Sequence, residues 1–216
     1  MGILGADGAM AELCAVPVGN LHAVPDALSD DAAVFVEPLA AALEILDQVR
    51  IDPGTGCVVL GDGKLGLLIA LALAQAGAEV LAVGKHEEKL ALLRVHGVQA
   101  VTLGAWRREP ADVVVEATGT PEGFALAVSV TRPRGTLVLK STVSNLSEVH
   151  LAPLVIHEIT VVGSRCGRFP PALTALASQR VDVEPLISAR LPLGEAERAL
   201  ELAAQPSVLK VLLTMN

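Results

Sequence analysis

Val58-Val59-Leu60-Gly61-Asp62-Gly63-Lys64-Leu65-Gly66 reads as a buried strand that ends in a glycine turn and opens a helix. The glycines follow the spacing G-x-G-x-x-G, and each has its own physical task. Gly61 permits the sharp turn out of the strand. The missing side chain of Gly63 lets a pyrophosphate approach the backbone, and Gly66 lets the helix pack close to the sheet. A phosphate held there sits on unpaired N–H groups at a helix N-terminus, where the helix dipole favours negative charge. The candidate cofactor contacts of the turn are Gly61, Asp62, Gly63, Lys64, Leu65 and Gly66. Glycines at this spacing also occur in ordinary turns, so the surrounding chain decides the reading.

Outward from the turn, strands and helices alternate. Strands are expected at Cys57–Leu60, Val80–Val83, Ala100–Leu103, Val113–Glu116, Thr136–Lys140 and Thr160–Gly163. The helix Leu65–Ala76 is apolar on nearly every face, as befits a helix wedged between a sheet and another layer. A second helix starts at Glu87-Glu88, turns Leu90 and Leu93 inward and stops at Gly97; two more fit Glu122–Val130 and Pro171–Arg180. The unit from Gly56 to Val83 is close to the ~30 residues of a dinucleotide-binding βαβ. The fold class is α/β, a doubly wound parallel Rossmann sheet of six strands. One connection is short. The link around Trp106-Arg107-Arg108-Glu109-Pro110 must cross about 22 Å in a 3-2-1-4-5-6 sheet. About ten extended residues reach ~33 Å, so the link is expected to cross with little or no helix.

The two ends differ from this pattern. Met10 to Val16 and Leu21 to Val24 are short strand candidates of antiparallel or irregular β. Ser29-Asp30-Asp31 caps a helical stretch running to Val49, with Pro38 forcing a break near Glu37. In the tail, Leu186–Leu191 and Leu209–Leu213 are strand candidates outside the main sheet. Between them lies an amphipathic helix, Glu195–Ala204, with Ala196, Ala199, Leu200 and Ala203 on one face.

Composition narrows the function classes. Of 216 residues, 52% are hydrophobic, but only three Phe, one Trp and no Tyr occur, so the core is aliphatic. The formal charge of −8 without a Lys/Arg cluster argues against a nucleic-acid surface. No apolar run reaches the ~20 residues a membrane span needs, and Met1 opens no signal peptide. Cys14, Cys57 and Cys166 form neither a disulfide framework nor a zinc-knuckle spacing. The expectation is a soluble, cytoplasmic protein.

The remaining candidates lie at strand ends, where open α/β sheets bind ligands. The second strand ends Val83-Gly84-Lys85-His86 with no carboxylate for a ribose 2′-hydroxyl. Gly84 leaves room for a 2′-phosphate that Lys85 and His86 could pair, so NADP(H) is the expected cofactor and NAD(H) the alternative. Thr118 and Gly119 after the fourth strand, Ser141 after the fifth and Cys166 after the sixth are expected at the nicotinamide end. Cys166 reads as a small packing residue rather than a nucleophile. Glu37 places a lone carboxylate in the apolar run Val34-Phe35-Val36-Glu37-Pro38, where it is either paired, metal-bound or a helix-starting acid.

Gly8-Ala9-Met10-Ala11-Glu12, Val16-Pro17, Asn20-Leu21, Val24-Pro25-Asp26, Val36-Glu37-Pro38-Leu39-Ala40, the glycine turn, Val115-Glu116-Ala117-Thr118-Gly119 and Lys210-Val211-Leu212-Leu213 occur in a telling order. In that order the chain resembles the medium-chain, zinc-type alcohol dehydrogenase superfamily, in its sorbitol, threonine and glucose dehydrogenase branch. The resemblance implies an NAD(P)-binding Rossmann domain at 47–185. It implies that 1–46 and 186–216 are pieces of a GroES-like catalytic β domain. It implies that Glu37 binds the catalytic zinc directly or through its water, and that homodimers or homotetramers form, dimers pairing through the sixth strand. It further implies hydride transfer between NADP(H) and a small alcohol, polyol or sugar, or the matching carbonyl, with zinc polarising the alcohol oxygen. Family members carry, before this chain's Gly2, a segment with a catalytic Cys and Gly-His-Glu. The chain therefore reads as N-terminally truncated, without the main zinc-ligand segment and with no catalytic residue assigned. Its zinc belongs to a full-length form, and the alternative is a non-catalytic NAD(P)-binding module. A methyltransferase with a similar glycine turn is disfavoured by the head and tail and by the missing ribose acid.

Overall fold

The computed structural model describes residue 5 and residues 7–142 and 149–215. Residues 1–4 of the expected head domain and residue 216 of the tail therefore lie outside the described residues. Strands β1 (Gly56–Leu60), β2 (Glu79–Gly84), β3 (Gln99–Thr102), β4 (Ala111–Glu116), β5 (Thr131–Leu139) and β6 (Thr160–Gly163) form one sheet in the order β3-β2-β1-β4-β5-β6. Every pairing in it is parallel. The doubly wound sheet is the one expected.

Side-chain alternation along the strands divides the core. Cys57 and Val59 of β1 join Val113, Val115 and Val138 on one face. That face is covered by α2 (Val36–Gln48), α3 (Lys64–Gln75), α4 (Glu87–Val95) and α7 (Phe169–Ala177). Val58, Leu60, Val114 and Leu137 face the other way, under α5 (Pro121–Val130) and α6 (Ala152–Ile156). The β3–β4 link crosses this second face without a helix, as its length demanded. Trp106, 8% exposed, fills the space a crossover helix would take, against Val58, Val83 and Ala111.

Local chemistry explains the ends of the elements. The Ser29 hydroxyl accepts from Ala32 N and caps the short α1 (Asp30–Ala33). The chain breaks at Val34-Phe35, and Pro38 lies in the first turn of α2, where its missing N–H costs nothing. Helix α4 ends with Gly97 at φ +75; Val98 N donates to Leu93 O and Gly97 N to Arg94 O, a Schellman closure.

The head departs from expectation. Met10 to Val16 and Leu21 to Val24 form no strand, and the only regular piece there is a 3-10 turn, Val18–Asn20. Met10, Leu13, Val18 and Leu21 are exposed, so no described strand offers them a pairing or a face to bury. The tail strands β7 (Ile187–Pro192) and β8 (Lys210–Thr214) do form a separate sheet, parallel and two-stranded. Helix α8 (Ala196–Ala203) between them buries Ala199 and half-buries Ala196 and Leu202, whereas Leu200 and Ala203 are exposed. The buried stripe is rotated from the one expected, toward β8, against which α8 mainly packs. No described helix is long and apolar enough to cross a membrane.

Candidate functional site

The glycine turn lies at the carboxyl edge of the sheet between β1 and β4, where the strand order reverses. Gly61 has φ +118, and a Cβ there would come within 2.5 Å of the Ala117 carbonyl oxygen after β4. A Cβ on Gly66 would collide with the Gly61 carbonyl oxygen, so this glycine sets the approach of α3 to the turn. Gly63 is different: a Cβ would meet nothing within 4 Å, which leaves an open approach to the backbone. Gly63 caps α3 with no side-chain acceptor, so the first-turn N–H groups, at Lys64, Leu65 and Gly66, await an external one.

A second cation stands beside this helix start. Lys210, first residue of β8, has its ammonium pushed below the ordinary lysine range, chiefly by burial and also by the charge of Lys64; Glu37 acts in the opposite sense. Its Nζ lies 5.5 Å from the Phe35 ring centroid. The unpaired N–H groups of a helix start that opens on Lys64, with a second lysine whose charge is felt there, fit a pyrophosphate. Lys210 was missed as a site residue because only the fold brings the tail strand β8 to Phe35 and within the influence of Lys64.

At the end of β2 the arrangement differs from the sequence reading. The space over Gly84 is filled by the Asp62 side chain: a Cβ on Gly84 would come within 2.5 Å of Asp62 Oδ2. Asp62 Oδ2 accepts from Lys85 N and His86 N, each at 2.6 Å, and lies 3.0 Å from His86 Nδ1. Burial raises the Asp62 pKa, but the two N–H donors and the His86 ring outweigh it and hold the carboxyl below its ordinary value. A 2′-phosphate finds room over Gly84 only where this carboxylate moves. The turn had concealed its own acid, since Asp62 and β2 meet only in the folded chain.

Around β4 and β5, Glu116 Oε1 accepts from Thr118 N at 2.7 Å and from Thr118 Oγ1 at 2.6 Å. Gly119 has φ +73, and its N–H donates to Ser141 Oγ at 2.8 Å. Thr118, Gly119 and Ser141 are thus brought together. Cys166 is exposed, contrary to the packing role expected, because its neighbour Gly167 is the residue pressed onto the Ala40 carbonyl of α2. Lys140, between Leu139 and Ser141, is buried and donates to Ala41 O at 2.6 Å and to Ser164 Oγ and Arg165 O at 3.1 Å each.

Glu37 sits in the first turn of α2 and is exposed, so the burial cost anticipated for it does not arise; its neighbours in the run, Phe35 and Val36, are the buried ones. Among the described residues no three His, Cys, Asp or Glu groups converge as a metal site. One carboxylate does not fit a catalytic zinc, which takes three protein ligands and an open position.

Comparison with known proteins agrees with this geometry. The family model described as zinc-binding dehydrogenase matches residues 65–180. Sorbitol dehydrogenase of Bombyx mori is 26% identical over 97% of the chain and 65% of its own length. D-arabinitol dehydrogenase 1 of Uromyces fabae is 30% identical over 88% of the chain and 60% of its own length. Among solved structures, alcohol dehydrogenase TADH from Thermus sp. ATN1 is 29% identical with a TM-score of 0.86, covering 97% of this chain and 66% of that one. A candidate zinc-binding dehydrogenase from Sinorhizobium meliloti 1021, bound to NADP, is 26% identical with a TM-score of 0.87, covering 96% and 66%. The chain thus spans less than two thirds of the curated relatives' length. With the glycine turn, the reversed strand order and a match across more than half its residues, the chain belongs to the zinc-binding dehydrogenase family.

Proposed function

We propose that this chain is the dinucleotide-binding part of an NAD(P)(H)-dependent dehydrogenase acting on a small alcohol, polyol or sugar. Residues 47–185 form its cofactor unit, and 1–46 and 186–216 belong to the catalytic domain. The observation that carries the reading is the open Gly63 backbone at the start of α3, flanked by Lys64 and Lys210. Thr118, Gly119, Ser141 and Cys166 line the nicotinamide end in this reading, and the polyol and alcohol dehydrogenases among the relatives support the substrate class. NADP(H) is supported by the absence of an acid at the carboxyl end of β2, by Lys85 and His86, and by the NADP-bound neighbour. NAD(H) is the second reading, favoured by the Asp62 carboxylate over Gly84.

Glu37 contributes one carboxylate toward a zinc whose other ligands the described residues do not bring to it. That shortfall favours a non-catalytic NAD(P)-binding module as the alternative for this chain. Dissociation constants for NADPH and NADH test the cofactor site. Zinc analysis with an NADPH-linked alcohol oxidation assay separates enzyme from module: stoichiometric zinc with turnover removes the module reading, and tight nucleotide binding without either supports it. The exposed edge strand β6, with Val161 40% exposed, supports pairing of two copies, which light scattering of the purified chain would detect.

A further inference from the structure

We propose that Asp62 reads the adenosine ribose: the acid that the carboxyl end of β2 lacks is supplied through space from the glycine turn, and it governs the choice between NAD(H) and NADP(H). The inference rests on the dinucleotide reading of the turn and adds a specificity residue to it.

The two oxygens of Asp62 have different roles. Oδ2 is anchored by Lys85 N, His86 N and His86 Nδ1 at 2.6, 2.6 and 3.0 Å. Oδ1 accepts no hydrogen bond among the described residues. It is not sealed away either, since no buried side-chain oxygen or nitrogen there lacks a partner. The side chain is 12% exposed, so one oxygen is held by the fold and the other keeps access to solvent. A ribose hydroxyl can donate to that free oxygen. A phosphate has no proton to offer it at neutral pH and carries a charge of the same sign.

Competition sharpens the effect. Of the donors a 2′-phosphate would use at the end of β2, Asp62 already takes the Lys85 and His86 N–H groups and the His86 ring, leaving the exposed Lys85 ammonium. NADPH must displace or outcompete the carboxylate; NADH need not. Gly84 has its own place here, because any Cβ would evict Asp62. The glycine that looks like room for a phosphate is room for an acid.

The test compares NADPH with NADH, and adenosine 2′,5′-bisphosphate with adenosine 5′-monophosphate, on the wild-type chain and on Asp62→Asn. Asparagine keeps an oxygen for the two N–H groups and removes the charge. The ratio of dissociation constants, phosphorylated over unphosphorylated, is expected to fall at least tenfold, about 1.4 kcal/mol. Asp62→Ser, whose hydroxyl also accepts, gives a second reading of the same ratio, and thermal melting identifies which variants are folded. A ratio unchanged within twofold in a folded variant overturns the proposal while leaving the dinucleotide site standing. Failure of both nucleotides to bind the wild-type chain overturns the dinucleotide reading itself, and this inference with it.

Discussion

Gly66 and Cys57 show how single side-chain positions govern this molecule. A methyl group at Gly66 would overlap the Gly61 carbonyl, and both are backbone-fixed, so neither can give way cheaply. Gly66→Ala is expected to cost about 3 kcal/mol or more, seen as a lowered urea midpoint, and to weaken nucleotide binding by moving α3 off the turn. Cys57 acts through titration. It is 1% exposed, and burial, with a smaller contribution from Asp112, pushes its thiol from 9.0 up to about 12. The unfolded chain loses this proton above pH 9 while the folded chain keeps it. The contribution is therefore complete below pH 9 and is lost as pH rises toward 12, at about 1.4 kcal/mol per unit at most. Lys140 and Lys210, with lowered folded values, tilt the profile the other way below 10.5, so the comparison must be internal. Cys57→Ala should lose stability less steeply than wild type between pH 9 and 10 in denaturant titrations; parallel slopes would exclude the assignment.

Elements form where local chemistry and burial agree, and fail where only one is present. Helix α4 had its acidic first turn, its inward Leu90 and Leu93 and its Gly97 stop legible in sequence, and the structure keeps all of them. The head segments had alternating apolar residues but no surface to bury them on, and remained irregular. Between these lies the β3–β4 link, whose length forbade a helix without saying what would cover the sheet instead. Trp106, helped by Leu103, does so. Trp106→Ala should cost about 3–5 kcal/mol, because an extended strap leaves nothing to collapse into the gap. Hydrogen exchange would locate the loss on β1 and β4, the strands under that face; a global melting change below one kcal/mol would refute the covering role.

On the scale of the whole molecule, helix α2 is joined to the sheet by Lys140. Its ammonium ties the Ala41 carbonyl of α2 to Ser164 and to the Arg165 carbonyl beyond β6. Burial lowers its pKa, opposed in part by the nearby carboxylates Glu44 and Glu37. Lys140→Met keeps the stem and removes three donors. Ala41 O keeps its partner within α2, but Arg165 O and Ser164 Oγ each lose one, a loss of about 1–3 kcal/mol that thermal unfolding would report. The core itself runs across residue 46: Phe35, Leu39 and Ile45 share one cluster with α3 and α7. Contacts between distant segments, rather than any stretch read alone, make the sheet and α2 a single body.

The sequence by itself determined the six strands and the glycine turn, and the reach of the short link was compatible with the 3-2-1-4-5-6 order. These follow from local periodicity, turn chemistry and the reach of a short link, all encoded within tens of residues. The tertiary structure decided what stands around the turn. It alone brought Lys210 to the start of α3, left Cys166 exposed, removed Glu37 from burial and laid Asp62 across Gly84. Each of these depends on two segments meeting in space, and the physical reason is the same throughout. A spacing rule records which backbone shapes a chain can adopt, whereas the charge or hydrogen-bond donor opposite a given atom is set only when the sheet and its crossovers have closed.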